Sequence, residues 1–164
     1  MIVTTVEVRR LTSAERSQLH DLLAREWGSS QIVSRGQVHD AAGAGAVGAF
    51  RGGRLVGLAT YLSENRECEL LTLNAFERRQ GIGSALLAAV VSEAKSAGAR
   101  RLWLVTTNDN VDAIRFYDAV GMRLAATHHG AVDEARKLKP SIPDLAPDGT
   151  RISDELEFEL DLLR

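Results

Sequence analysis

A chain of 164 residues, 45% of them hydrophobic, has the length and apolar content of one compact domain spanning residues 1–164 with its own core. Its formal charge of -2 supplies no general basic field, which argues against nucleic acid as a partner. The single cysteine, Cys68, excludes an internal disulfide framework and a cysteine-cluster zinc site and fits a reducing compartment. The first residues, MIVTTVEVRR, alternate apolar and polar without a continuous hydrophobic run, so the expectation is a cytoplasmic protein with neither signal peptide nor membrane anchor.

IVTTVEVRRL reads as a strand. Thr12 and Glu15 then form a capping box for a helix with Leu19, Leu22 and Leu23 on one face. Residues 28–45 are rich in glycine and serine and lack sustained periodicity, which predicts a long loop with one helical turn. Three apolar runs follow, joined at Gly52-Gly53 and across Ser63 to Arg66, as in an antiparallel meander. From Gly81 the pattern becomes helical, with Ile82, Ala85, Leu86, Ala89, Val90, Ala94 and Ala97 in one stripe ending at Gly98. RRLWLV is the next strand. NVDAIRFYDAV is a short helix with Ala113, Phe116, Tyr117 and Val120 on one face, closed by Gly121. MRLAATHH reads as a strand, and residues 130–151 as a helical turn followed by a loop interrupted by Pro140, Pro143 and Pro147. ISDELEFELDLL alternates with period two, which predicts a half-buried strand whose row Glu155, Glu157, Glu159 and Asp161 faces solvent from a sheet edge. The whole is an α/β or α+β domain, a mixed sheet flanked by helices.

The stretch RRQGIGSALL puts two glycines one residue apart between a strand and an apolar helix. The first backbone N–H groups of such a helix have no intrahelical partner and, with the positive end of its dipole, favour a phosphate; glycines let the backbone approach closely. No Gly-Lys-Ser/Thr follows, and Leu86 stands where the third glycine of a dinucleotide fingerprint belongs, so the Walker and Rossmann readings fail. On this motif alone, phosphate binding and a packing turn stand equal.

Arg78-x-x-Gly81-x-Gly83, followed one strand later by Asn110-x-x-Ala113-x-x-Phe116-Tyr117-x-x-x-Gly121-Met122, resembles the GNAT acetyltransferase superfamily, as does the order of elements over nearly the whole chain. The resemblance implies a mostly antiparallel, twisted sheet of about seven strands, splayed between the fourth, CELLTLN, and the fifth, LWLVTT. It implies acetyl-CoA as cosubstrate and a pyrophosphate held by main-chain N–H groups around Arg79, Gln80, Gly81, Ile82, Gly83 and Ser84, with Arg78 adding charge. It also implies that Leu71, Thr72 and Leu73 offer main-chain groups to the pantetheine arm, one N–H polarising the thioester carbonyl. Asn110, Ala113 and Phe116 lie near the cofactor on the same grounds, and Asn110 also reads as an N-cap.

Transfer of an acyl group from a thioester to an amine needs an uncharged amine, a stabilised oxyanion and a proton for the departing thiolate. Tyr117 matches the superfamily's usual general acid; the competing reading is an interior aromatic. Glu67 and Glu69, two apart on the groove strand, are candidate bases, with a surface or ion-paired role and a water relay as the alternatives. Cys68 points the other way, as a small core residue. For the acceptor, Trp27, Ser29, Ser30, Arg35 and His39 in one loop and His128 near the other form a candidate pocket. Arg136, Lys137 and Lys139 read as a solvated helix face. His128 and His129 face opposite ways on a strand, which argues against a metal. The expectation is an N-acetyltransferase acting on a small amine by direct transfer in a ternary complex, without nucleic-acid or membrane partners, in a monomer or homodimer. The competing classes are a non-catalytic CoA-binding regulator on the same fold and an acetyltransferase for protein N-termini or lysines.

Overall fold

The computed structural model describes residues 5–77 and 80–163. Its elements are β1 (Val6–Arg10), α1 (Ser13–Arg16), α2 (Leu19–Trp27), β2 (Gln31–Ser34), β3 (Gln37–Asp40), β4 (Gly45–Arg51), β5 (Arg54–Glu64) and β6 (Glu67–Ala75), then α3 (Ile82–Ser96), β7 (Arg101–Thr107), α4 (Val111–Ala119), β8 (Arg123–His128), α5 (Ala131–Leu138) and β9 (Glu155–Asp161). Seven strands form one mixed sheet in the order β1-β4-β5-β6-β7-β9-β8, flanked by helices; β2 and β3 form a second, two-stranded sheet. The chain clusters into two compact units. One comprises Met1–Ser30, Asp40–Leu102 and Leu162–Arg164, the other Gln31–His39 and Trp103–Asp161.

In the first unit the capping box forms: the Thr12 hydroxyl accepts from the Glu15 N–H at 3.2 Å, and the Glu15 carboxylate accepts from the Thr12 N–H at 2.8 Å. It caps the short α1, however, and the expected leucine face lies on the separate α2, whose N-cap is Gln18. The meander β4-β5-β6 is antiparallel, and both its turns place two residues at positive φ: Gly52 and Gly53 at 57° and 79°, Asn65 and Arg66 at 52° and 62°. Such turns match the twist of the flanking strands. Helix α3 buries Ile82, Leu86, Leu87, Val90 and Ala94. Glycine is needed beneath it. A Cβ on Gly57 of β5 would stand 2.6 Å from Ile82 Cγ2 and 2.9 Å from Leu86 Cδ1. Gly57→Ala is therefore expected to cost about 1–3 kcal/mol through overpacking, a fall of several degrees in Tm. An unchanged melting curve would mean that helix and strand separate at little cost.

In the second unit β8 and β9 pair antiparallel, with Leu124 opposite Phe158 and Ala126 opposite Glu157, so Ala125 is an extra residue on β8. Three expectations are corrected. Residues 28–45 are not mainly loop. They contain β2, β3 and a 3-10 turn over Ala41–Gly43, because Arg35 and Gly36, at φ 49° and 75°, make a two-residue turn between short alternating runs. Strand β9 is not an edge: it lies between β7 and β8, and Glu155 is 4% exposed. Arg136 is not on a solvated face. Its guanidinium bonds Asp133 and the carbonyls of Ile142, Pro143 and Ile152 at 2.7 to 3.1 Å, holding the proline-rich loop against α5.

Candidate active site

Strand β6 departs from a regular ladder where the sequence expects cofactor contacts. Thr60 pairs with Thr72 and Tyr61 with Leu70, so Leu71 is a bulged residue with no partner of its own on β5. A bulge reverses which residues share a face and frees backbone groups from the ladder, and bulges recur beside active sites. The two threonines meet hydroxyl to hydroxyl at 2.6 Å, both fully buried, and pin the register just past the bulge.

Beyond β6 the chain is anchored before it turns. The Phe76 N–H donates to the Val56 carbonyl at 2.9 Å, and Glu77 accepts from both Arg51 and Arg54. Arg78 and Arg79 lie outside the described residues. Gly81, at φ 72°, is the N-cap of α3; it supplies no side-chain cap, and the first turn contains no acidic residue. Open space surrounds the position of a Cβ on Gly81. Among the described residues the first N–H groups of α3, from Ile82, Gly83 and Ser84, thus lack an intrahelical partner, a competing cap and a repelling charge. A donor set of this kind fits a diphosphate. Gln80 and Ser84 are exposed beside it.

The second segment of the motif is explained by its two ends. The Asn110 side chain accepts from the Ala113 N–H at 3.2 Å, an N-cap. At the other end the Met122 N–H donates to the Tyr117 carbonyl at 3.0 Å and the Gly121 N–H to that of Asp118 at 3.1 Å, a Schellman motif with Gly121 at φ 90°. Tyr117 is thereby fixed on the last turn of α4. It is 8% exposed, edge-on to Phe116 with ring centroids 5.3 Å apart and tilted against Phe158 at 5.9 Å. Among the described residues its hydroxyl makes no hydrogen bond, yet no fully buried side-chain polar atom lacks a partner, so the hydroxyl keeps contact with solvent. Burial pushes the phenol pKa up, so the group stays an O–H donor at neutral pH.

The candidate bases differ. Glu67 is exposed, 3.6 Å from Arg101, whereas Glu69 is 7% exposed. Cys68, between them, is fully buried, and burial raises its pKa, which leaves a thiol without nucleophilic character.

The acceptor candidates fall in both units. In the first, Trp27 ends α2, 40% exposed, and its Nε1–H donates to Asn74 Oδ1 at 2.6 Å. Ser29 is half-buried and Ser30 buried, its carbonyl accepting from the Ala41 N–H at 2.8 Å. In the second, His39 lies on β3, and Arg35, at the β2-β3 turn, donates its N–H to Glu155 Oε2 at 3.4 Å and sets its Nε 3.8 Å from Glu157. His128 Nε2 is 3.0 Å from Glu157 Oε1. The sequence reading treated Glu155 and Glu157 as a solvated row; the period-two pattern could not tell which strand would lie beside β9. A cavity of about 630 Å³ in the first unit, floored by Leu11, Leu19, Leu22, Phe50, Leu55 and Phe76, contains none of the expected acceptor residues.

Burial raises the Glu155 pKa, against a smaller lowering by the Arg35 N–H. A carboxyl with a raised folded-state pKa weakens the fold once ionised, so stability from this group is present at acid pH and lost as pH rises through the folded value. Glu155→Gln is expected to raise Tm at pH 7 and to lose that advantage on acidification through the carboxylate range. A Tm below wild type at pH 7 would contradict it.

The family model described as "Acetyltransferase (GNAT) family" matches residues 8–122. The chain belongs to the GNAT acetyltransferase family. As a GNAT protein it has curated relatives in Bacillus subtilis: the uncharacterized protein YdhI is 38% identical over 87% of this chain and 90% of its own, and YxbD 36% identical over 80% and 84%. Among solved structures, the IAA acetyltransferase of Bacillus cereus superposes with a TM-score of 0.69 at 19% identity, covering 96% of this chain and 99% of its own. A Bacillus subtilis acetyltransferase solved in complex with CoA gives 0.65 at 19% identity, covering 97% and 99%. At such identity these two establish the GNAT fold. Among the described residues no helix is long and apolar enough to cross a membrane, and no cluster of side chains could hold a metal ion.

Proposed function

We propose that the protein is an acetyl-CoA-dependent N-acetyltransferase, one domain over residues 1–164, that transfers acetyl to the primary amine of a small acceptor in a ternary complex. The observation that carries the reading is the start of α3: among the described residues, a positive-φ glycine with open space at its Cβ position, no side-chain cap, no acidic residue in the first turn and three N–H groups without an intrahelical partner. In this reading Gln80, Gly81, Ile82, Gly83 and Ser84 cradle the diphosphate, with charge from Arg78 and Arg79. Leu71, Thr72 and Leu73 offer main-chain groups to the pantetheine arm, where β6 and β7 splay. The bulge at Leu71 supports that role, since it releases backbone from the β5 ladder. Asn110, Ala113 and Phe116 flank the cofactor on α4, and Tyr117 protonates the leaving thiolate. Trp27, Ser29, Ser30, Arg35, His39 and His128 line the acceptor's path. Bound acetyl-CoA supplies an activated acyl carbon; the chain's residues hold it, donate the proton and exclude water.

Release of CoA thiol from acetyl-CoA across a panel of primary amines tests the proposal. Turnover with at least one small amine is expected. Binding of CoA without turnover on any amine would make the protein a regulator, and turnover confined to peptides would move the acceptor to protein N-termini or lysines.

A further inference from the structure

We infer that His128, oriented by Glu157, is the base that takes the proton from the acceptor ammonium, a role that rests on the N-acetyltransferase reading above. A primary amine is charged at neutral pH, with a pKa near about 10.4 for an alkylamine, and cannot attack until a proton leaves it. Glu67 has a surface ion pair with Arg101. His128 is differently placed. Its Nε2 lies 3.0 Å from Glu157 Oε1, and a carboxylate only accepts, so Nε2 carries the hydrogen and Nδ1 keeps its lone pair. Among the described residues Nδ1 has no hydrogen-bond partner, and the side chain is 23% exposed, enough to meet a small ligand. One ring nitrogen held by a carboxylate with the other left open is how an imidazole is prepared to accept a proton.

The strand register adds a second observation. His128 on β8 stands opposite Glu155 on β9 and reaches diagonally to Glu157. Glu157 and Phe158 are successive on β9 and so point to opposite faces, and Tyr117 packs on Phe158. Base and acid thus belong to opposite faces of the second unit. Transfer by addition and elimination is compatible with that separation, because the amine adds to the planar acyl carbon first and the thiolate leaves afterwards from the tetrahedral intermediate, so the two proton transfers are served by different groups. The ammonium gives one proton to Nδ1, which passes it to solvent, and the free amine adds to the acyl carbon. As the tetrahedral intermediate collapses the C–S bond breaks, the thiolate takes the Tyr117 proton, and the second proton on nitrogen leaves through solvent, which restores the phenol. The titratable and charged groups around the imidazole are Glu155 and Glu157 on β9 and Arg35 on the β2-β3 turn. His129 is occupied with Asp154 at 3.2 Å, and Lys139 donates to the Gln31 carbonyl at 2.8 Å.

The test uses the full chain, acetyl-CoA and a primary alkylamine that the wild type acetylates, comparing His128→Ala, His128→Gln and Glu157→Gln, with imidazole ¹⁵N spectra of the ligand-free wild type. The expected result is a fall in kcat/KM of about 100-fold at pH 7 for both His128 variants, with CoA affinity kept. The deficit should narrow at least tenfold as pH approaches the amine's own pKa, about 10.4. Glu157→Gln should show a smaller loss of the same pH form, and the spectra should show hydrogen on Nε2. A pH-independent deficit, a His128→Gln enzyme that keeps pace with the wild type, or hydrogen on Nδ1 in the neutral ring overturns the inference alone. A wild type that turns over no amine overturns the acetyltransferase reading and this inference with it.

Discussion

Tyr117→Phe is expected to lower kcat about 100-fold, at the lower end of what a positioned acid contributes, while leaving the dissociation constant for CoA unchanged. The substitution removes one oxygen and keeps the ring edge-on to Phe116 and tilted against Phe158. Among the described residues that oxygen makes no hydrogen bond, so Tm should stay within about a degree or two of wild type. The pH dependence has a definite sign. Burial raises the phenol pKa, so the proton is retained beyond the ordinary tyrosine value of about 10. Any alkaline decline of kcat due to Tyr117 should therefore begin above that value in the wild type and be missing from the variant. An unchanged kcat would remove Tyr117 from the acid role, and a parallel loss of CoA affinity would assign it to packing instead.

Gly83→Leu should weaken CoA binding about 100-fold without lowering Tm. Gly83 is the second residue of α3, and side chains on a helix tilt toward its N-terminus, so a leucine there leans over the donors proposed to hold the diphosphate. Each hydrogen bond to a charged group contributes about 1.5–3 kcal/mol, and obstructing one or two accounts for the stated loss. Replacing glycine in a helix by leucine favours the helix by up to about 1 kcal/mol, so the fold is not weakened by propensity. A fall in affinity at constant or raised Tm thus separates lost binding from misfolding. CoA affinity within threefold of wild type would argue against the phosphate cradle.

What the sequence disclosed followed from strong local signals. The stripe from Ile82 to Ala94 became α3, and the Thr12 and Glu15 box formed as spaced. The meander was legible because glycine and asparagine sit where positive φ is required. The hairpin β2-β3 was hidden because its strands are four residues each and its turn uses Arg35, a residue type that rarely adopts φ 49°. The bulge at Leu71 was equally hidden: Leu70, Leu71 and Thr72 are all buried, and an unbroken buried run gives no alternation to lose. Glu155 shows the same limit from the other side. Period two fixed which residues share its face, but strand order decided that this face is covered, and strand order is set by pairing distant in sequence.

The most direct measurement is a crystal structure of the protein with acetyl-CoA bound. The account predicts diphosphate oxygens within about 2.7–3.2 Å of the main-chain N–H groups of Ile82, Gly83 and Ser84, and the thioester sulfur within reach of the Tyr117 hydroxyl. A diphosphate bound elsewhere, with those amides left to water, or a thioester remote from Tyr117, would contradict it.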